Sequence, residues 1–122
     1  MCSSDLTGWH LPTDAEWTVL AEHVEWDATK LKSTSGWDLS TNGTDDYDFN
    51  GVPTGGSPDN NMNWYYGNNQ YVNWWSATME SGSNNAYYFL LDYLITDNKD
   101  EIKRATRTTQ SFWMYNVRCI KD

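Results

Sequence analysis

Basic side chains are scarce in this sequence, and so are cysteine, proline and long apolar runs. Eight Lys and Arg residues stand against seventeen Asp and Glu residues, which gives a formal net charge of −9 at pH 7. A nucleic-acid groove or a surface that binds anionic lipid needs a basic patch, so we expect neither function. No apolar stretch approaches the roughly 20 residues of a membrane-spanning helix. We therefore expect no membrane insertion.

Aromatic residues, by contrast, are abundant. They make up 16% of the 122 residues, with eight Trp and eight Tyr but only three Phe. Disordered chains contain few aromatic residues, and a chain of this length can bury enough surface to form one folded domain. The composition predicts a single acidic, loop-rich globular domain that functions outside the cell. It does not identify a reaction.

The first six residues form a separate segment. Residues 2–6 (CSSDL) are what the end of a common sequencing adapter encodes when it is read in frame. We therefore interpret residues 1–6 as a non-native segment and expect the native domain to occupy residues 7–122. The alternative is an ordinary polar N-terminal arm. If Cys2 is foreign, Cys119 is the single native cysteine, and we expect its partner in sequence upstream rather than at Cys2.

The clearest local signal lies at residues 11–25, where a capping box and an apolar stripe predict an α-helix. Thr13 and Glu16 form a capping box, in which the two side chains cover free backbone N–H groups of the first turn. Apolar side chains then recur at the spacing of one helix face: Trp17, Leu20, Ala21 and Val24. We expect this stripe to be buried against a sheet. A second short helix is predicted over residues 29–35.

From residue 38 to residue 73 the composition is dominated by Gly, Asn, Asp, Ser and Pro, which indicates a long loop region. Strand-like alternation follows in four segments: residues 71–78, 85–94, 101–109 and 112–120. The second of these is mostly apolar on both faces, which predicts a central strand. The third is polar and predicts an exposed strand. The order of these elements predicts an α+β fold.

The loop region holds aromatic residues among asparagines. The candidate ligand-binding residues are Trp64, Tyr65, Tyr66, Tyr71, Asn63 and Asn69. Aromatic faces pack against the C–H groups of a sugar ring, and amides exchange hydrogen bonds with its hydroxyls. The same chemistry serves protein recognition in antibody loops. The alternative is that the rings anchor a long loop to a small core, and for Trp74 and Trp75 we favour this scaffolding role.

Residues 46–51 (DYDFNG) match the opening of a calcium-binding loop. The candidate ligands are Asp46, Asp48 and Asn50, which would place three oxygen atoms on one side of a tight turn. The twelfth position of such a loop normally carries a bidentate Glu, but Ser57 stands there. The alternative is a cluster of Asx turns that closes the loop without a metal. No other cofactor is expected.

Six short motifs are spread over nearly the whole chain: residues 8–17 (GWHLPTDAEW), 31–37 (LKSTSGW), 42–47 (NGTDDY), 74–78 (WWSAT), 86–88 (AYY) and 117–122 (VRCIKD). In this order they resemble a bacterial family, the Fibrobacter succinogenes major paralogous domain. The LPTDAEW stretch is also similar to the helix signature of formylglycine-generating-enzyme-type domains. The resemblance implies a C-type lectin-like fold with two helices, a long loop region and a twisted antiparallel sheet. The family usually has more sequence before the first motif, so the resemblance also implies an N-terminally truncated domain.

The family is found in secreted and cell-surface bacterial proteins, and no activity is firmly attached to it. The resemblance and the aromatic loop together predict a non-catalytic, secreted or cell-surface binding module for a glycan or a protein. The first alternative is a structural or adhesive module that packs on neighbouring domains of a larger protein. The second is an oxidase like the formylglycine-generating enzymes, which we disfavour because the copper-binding cysteine pair is missing. No catalytic triad follows from His10 and His23, and we interpret His10 as a hydrogen-bonded structural residue.

Overall fold

The computed structural model describes residues 7–56, 69–92, 100–110 and 113–122. Within these ranges, α1 (Asp14–His23) packs against an antiparallel sheet of three strands: β2 (Tyr71–Met79), β3 (Asn85–Asp92) and β4 (Lys103–Thr108). A second, two-stranded sheet pairs β1 (Trp9–His10) with β5 (Ile120–Lys121). The described residues therefore form an α+β domain, as the sequence predicts. None of their helices has the length and apolar character needed to cross a membrane.

The first turn of α1 is closed by the predicted capping box. Thr13 Oγ1 accepts a hydrogen bond from the Glu16 backbone N–H at 3.2 Å, and Glu16 Oε2 accepts one from the Thr13 N–H at 2.8 Å. The helix is shorter than predicted at its other end, because Glu25 and Trp26 have φ values of 61° and 59°. A right-handed helix cannot continue through residues in this left-handed conformation.

The apolar stripe of α1 is buried against the sheet, which confirms the prediction. Trp17, Ala21 and Val24 are buried, and Leu20 packs against the same cluster. The Trp17 ring stacks on two rings of the sheet, Trp74 and Phe89, at centroid distances of 5.8 and 5.6 Å. These rings form the centre of the core.

The second helix predicted for residues 29–35 is wrong. A single 3-10 turn spans Ala28–Lys30, and the Asp27 side chain caps it by accepting from the Thr29 N–H at 2.9 Å. The chain then straightens, because Lys32 forms a parallel bridge with Gly51. This tertiary pairing takes the backbone groups that a longer helix would use. Another 3-10 turn, Asp38–Ser40, lies inside the predicted loop region.

β3 is the central strand of the larger sheet, and β4 is its polar, more exposed partner, as predicted. Trp74 lies opposite Phe89, and Trp75 lies opposite Tyr88. Because side chains alternate between the faces of a strand, the first pair faces α1 and the second pair lies on the other side of the sheet. We call that second side the outer face.

The strand predicted for residues 112–120 is also wrong over most of its length. Only Ile120 and Lys121 form a strand. Between residues 113 and 119 the described backbone makes only isolated bridges, at Met114 and at Asn116, and the bridge at Asn116 is parallel and pairs it with Trp74. The Asn116 side chain donates to Thr54 Oγ1 at 2.8 Å and to the Asn73 carbonyl at 3.1 Å. These side-chain hydrogen bonds hold the segment against β2 without a continuous ladder.

Cys119 is disulfide-bonded in the structure. The only other cysteine of the chain, Cys2, lies outside the described residues. The expectation about Cys2 therefore falls outside the part of the chain that the structure describes.

His10 joins the small sheet to the start of α1. Its Nδ1 lies 2.6 Å from Asp122 Oδ1, and its Nε2 lies 2.9 Å from Glu16 Oε1. A neutral ring can donate from only one nitrogen, whereas the cationic ring donates to both carboxylates. The structural role predicted for His10 agrees with this geometry.

We expect the domain to lose stability as the pH rises through the pKa of folded His10. The hydrogen bonds to Asp122 and Glu16 raise this pKa above the ordinary value of 6.5, because they stabilise the charged ring. The contribution of His10 is therefore complete below about pH 6.5 and disappears above the raised pKa. Thermal unfolding measured from about pH 5 to about pH 9 tests this.

His10→Gln keeps a hydrogen-bonding side chain that does not titrate, so the alkaline fall in melting temperature should flatten in this variant. His23→Gln is the matched control, because the His23 ring packs against Tyr47 on the other end of α1. At the acid end, hydrogen bonds from Thr13 and then from His10 lower the pKa of Glu16. Its contribution is therefore lost only when the pH falls through that lowered value. An unchanged alkaline fall in His10→Gln contradicts the assignment.

Candidate binding surface

Most of the ligand-binding residues predicted from sequence lie outside the described ranges: Trp64, Tyr65, Tyr66 and Asn63. Asn69 and Tyr71 are described, at the entrance to β2. Asn69 is exposed and has a φ of 67°, and its backbone accepts from the Asp38 N–H at 2.8 Å. Tyr71 is half-buried, so it is neither a fully exposed stacking ring nor a core residue. The prediction for this loop stays a prediction.

The described residues contain another group of aromatic rings, on the outer face of the sheet. It consists of Trp75, Tyr88, Trp113 and Tyr115, and we call it the outer aromatic cluster. Tyr115 lies against both strand residues, with its ring centroid 4.5 Å from Trp75 and 4.8 Å from Tyr88. Trp113 follows at 6.1 Å from Tyr115. All four residues are half-buried, so each keeps part of its surface in contact with solvent.

The cluster is fixed by polar contacts as well as by ring packing. The Arg107 guanidinium on β4 lies 4.1 Å above the Trp113 ring, a cation–π contact that orients the indole. Burial raises the pKa of Tyr115, and the nearby Tyr88 adds to this effect. The Tyr115 phenol therefore stays protonated at neutral pH, and it shares a side-chain hydrogen bond with Tyr88.

A groove of about 410 Å³ runs beside the cluster. Trp75 and Trp113 lie on its walls, together with the side chains of Met79 and Val117, which are 48% and 45% exposed. Thr109 adds an exposed hydroxyl group. Ligand sites typically combine an apolar, aromatic lining with a few polar groups in this way.

The sequence interpretation missed this cluster in part. The scaffolding role predicted for Trp74 agrees with its burial, since it is 6% exposed. Trp75 is the next residue and lies on the outer face instead. The presence of aromatic residues on both faces of β3 was the signal from which an aromatic outer face could have been predicted. The contribution of residues 113–115 could not be seen, because it depends on a chain segment that is not a regular strand.

The candidate calcium ligands Asp46, Asp48 and Asn50 are all exposed. The loop that carries them is closed by the neighbouring Asp45, whose Oδ1 accepts from the Asn50 N–H at 2.7 Å and whose carbonyl accepts from the Asp48 N–H at 3.2 Å. This is the Asx-turn arrangement of the alternative interpretation. The described part of the chain gathers no group of three or more His, Cys, Asp or Glu side chains suited to a metal. Calcium binding stays a prediction.

Comparison with models of protein families identifies the family of this chain. The model of the Fibrobacter succinogenes major domain matches residues 7–121. The chain belongs to this family. No curated protein and no solved structure matches the chain. The family membership confirms the resemblance derived from the six motifs, and it brings no activity, ligand or partner with it.

Proposed function

We propose that this member of the Fibrobacter succinogenes major domain family is a non-catalytic carbohydrate-binding module with a C-type lectin-like fold, carried by a secreted or cell-surface bacterial protein. The observation that supports the proposal best is the outer aromatic cluster beside its groove. Four half-buried rings and an arginine share one face of the sheet there, on the side opposite the core.

The chemistry of this face suits a sugar better than a charged ligand. A pyranose presents C–H groups on its faces, which pack on the indoles of Trp75 and Trp113, and hydroxyls at its edge. The phenol of Tyr115 and the exposed hydroxyl of Thr109, which donates its own proton to the Asn84 carbonyl, can accept hydrogen bonds from those hydroxyls. The net charge of −9 disfavours polyanionic partners, so the proposal is a neutral glycan.

A second candidate function is a structural or adhesive module that docks on a neighbouring domain. Its support is the apolar character of the outer face, where Met79 and Val117 line the groove and are 48% and 45% exposed. Aromatic residues and methionine are enriched at protein interfaces. In this case the purified domain binds no glycan, and alanine at Trp113 lowers its association with the adjacent domain of the same polypeptide.

We propose no catalytic role. Both ring nitrogens of His10 are hydrogen-bonded to carboxylates that hold the small sheet and α1 together. An oxidase of the formylglycine-generating type needs free thiolates for Cu(I), and Cys119 is disulfide-bonded.

A glycan-array screen of the full chain identifies the ligand, and titration of Trp113→Ala with that ligand tests the site. We expect the variant to lose about 1–3 kcal/mol of binding free energy, the scale of a central aromatic contact, and to keep most of its stability because Trp113 is half-buried. Trp9→Ala is the matched control, since Trp9 is 46% exposed and lies on the small sheet. Equal losses in both variants, or none in Trp113→Ala, contradict the proposed site.

A further inference from the structure

A lysine and an aspartate meet inside the domain, between the loop region and the sheet. The side chain of Lys32 is fully buried and that of Asp100 is 10% exposed, and Lys32 Nζ lies 2.6 Å from Asp100 Oδ2. The two residues are 68 positions apart in the sequence. Lysine and aspartate are rarely buried to this extent, so the pair needs a physical explanation.

The surroundings satisfy the pair poorly as two charges. Nζ lies 4.4 Å from the centre of the Trp37 ring and 3.5 Å from the Thr41 carbonyl, a long hydrogen bond. Asp100 Oδ1 is buried and has no hydrogen-bond partner among the residues that the structure describes. A carboxylate oxygen left without a donor carries a desolvation penalty that the ion pair only partly offsets.

The same surroundings favour the neutral form of Asp100. Burial raises the pKa of Asp100, and the negative charge of nearby Asp92 adds to the rise, against the opposing effect of Lys32. Proton transfer from Nζ to Oδ2 along the 2.6 Å hydrogen bond turns the ion pair into an amine beside a carboxylic acid. A neutral lysine amine is a nucleophile, and the protonated acid is its electrophile.

We propose that Lys32 and Asp100 condense into an intramolecular isopeptide bond. Lys32 Nζ attacks Asp100 Cγ, the new C–N bond forms, and the bond from Cγ to Oδ2 breaks. Oδ2 leaves as water with two protons that come from the original ammonium group, so the reaction consumes no co-reactant. The product is a neutral secondary amide in which Asp100 Oδ1 remains as the carbonyl oxygen.

The chain supplies a matched pair for comparison. Lys103 Nζ lies 2.5 Å from Asp92 Oδ2, so the contact is as short, but the Lys103 side chain is 39% exposed. Water solvates that ammonium and competes with the carboxylate for it. Lys103 and Asp92 therefore stay an ordinary ion pair.

The test is the mass of the full chain, reduced and denatured after it has folded. We expect it to be lighter than the sequence mass by about 18 Da, one water. Proteolysis should yield one branched peptide that joins the segments around Lys32 and Asp100. Hydroxylamine opens a succinimide, which has the same mass loss, but leaves an isopeptide bond intact.

Two variants complete the test, and neither needs to be stable for the wild-type result to stand. Lys32→Arg keeps the charge and Asp100→Ala removes the acid, and both should show the full sequence mass. The proposal is overturned by a wild-type chain of full mass, by a mass loss that hydroxylamine reverses, or by a cross-link between Lys103 and Asp92.

Discussion

Replacing Trp17 by alanine should lower the free energy of unfolding by about 3–5 kcal/mol, the range measured for large aromatic residues in protein cores. Trp17 is 5% exposed and stacks on both Trp74 and Phe89. It also contacts the edge of Phe49 at a centroid distance of 6.4 Å. Alanine would leave a cavity between α1 and the sheet at the point where these rings meet.

The effect is expected to be large because the neighbours of Trp17 cannot close the space. Trp74 and Phe89 are held in register by the pairing of β2 with β3, and Phe49 sits under the Arg118 guanidinium at 3.9 Å. Interiors are packed at crystal density, so rigid neighbours relax only partially around a deletion.

Urea denaturation followed by tryptophan fluorescence and by circular dichroism measures the loss. Val19→Ala is the control on the same helix, since Val19 is 65% exposed, and it should change the stability by less than about 0.5 kcal/mol. A Trp17→Ala variant as stable as Val19→Ala would show that the assigned core is wrong.

Replacing Gly43 by alanine should destabilise the domain by about 3 kcal/mol, at the upper end of the range for overpacked sites. A Cβ atom at this position would lie 2.3 Å from the Lys32 carbonyl oxygen and 2.5 Å from that of Thr29. Real Cβ atoms do not approach backbone this closely, so one of the two segments must move. Movement breaks the hydrogen bonds that Gly43 N–H and Thr44 N–H donate to Ser33 and Thr29, both at 2.9 Å.

Gly56→Ala is the matched control for this prediction. A Cβ atom there would have its nearest neighbours at 3.5 Å, an ordinary contact with Asn73, Met114 and Tyr71. We expect its stability to change by less than about 1 kcal/mol. Chemical denaturation of both variants measures the two stability changes. Similar denaturation midpoints for the two variants would contradict the close approach at Gly43.

Several elements could be predicted because their determinants are close together in the chain. The capping box that starts α1 needs only Thr13 and Glu16, which are one turn apart. The alternation of apolar side chains marks β3 as central whatever its neighbours are. Family membership follows from motifs in a fixed order, and it too is a property of the linear sequence.

Two predicted elements are wrong because their backbone groups hydrogen-bond to segments that are distant in the sequence. Residues 29–35 contain helix-compatible residues, but the bridge between Lys32 and Gly51 ends the turn at Lys30. The last strand was predicted from the alternation of Trp113, Tyr115 and Val117. In the structure, the aromatic members of this set pack on the outer face of the sheet, and the segment bonds to β2 through Asn116.

The sequence by itself determined the acidic character, the α+β class, the first helix, the three strands of the larger sheet and the family. Only the tertiary structure decided which aromatic rings lie together on the outer face and which charged side chains form a pair in the interior. Tyr115 meets Trp75 across 40 positions of sequence, and Lys32 meets Asp100 across 68. Helix caps and strand alternation are local interactions within a few residues, whereas these contacts depend on how the chain returns over the sheet. The periodicity of a single sequence does not indicate where the chain folds back over the sheet, so it does not predict these contacts.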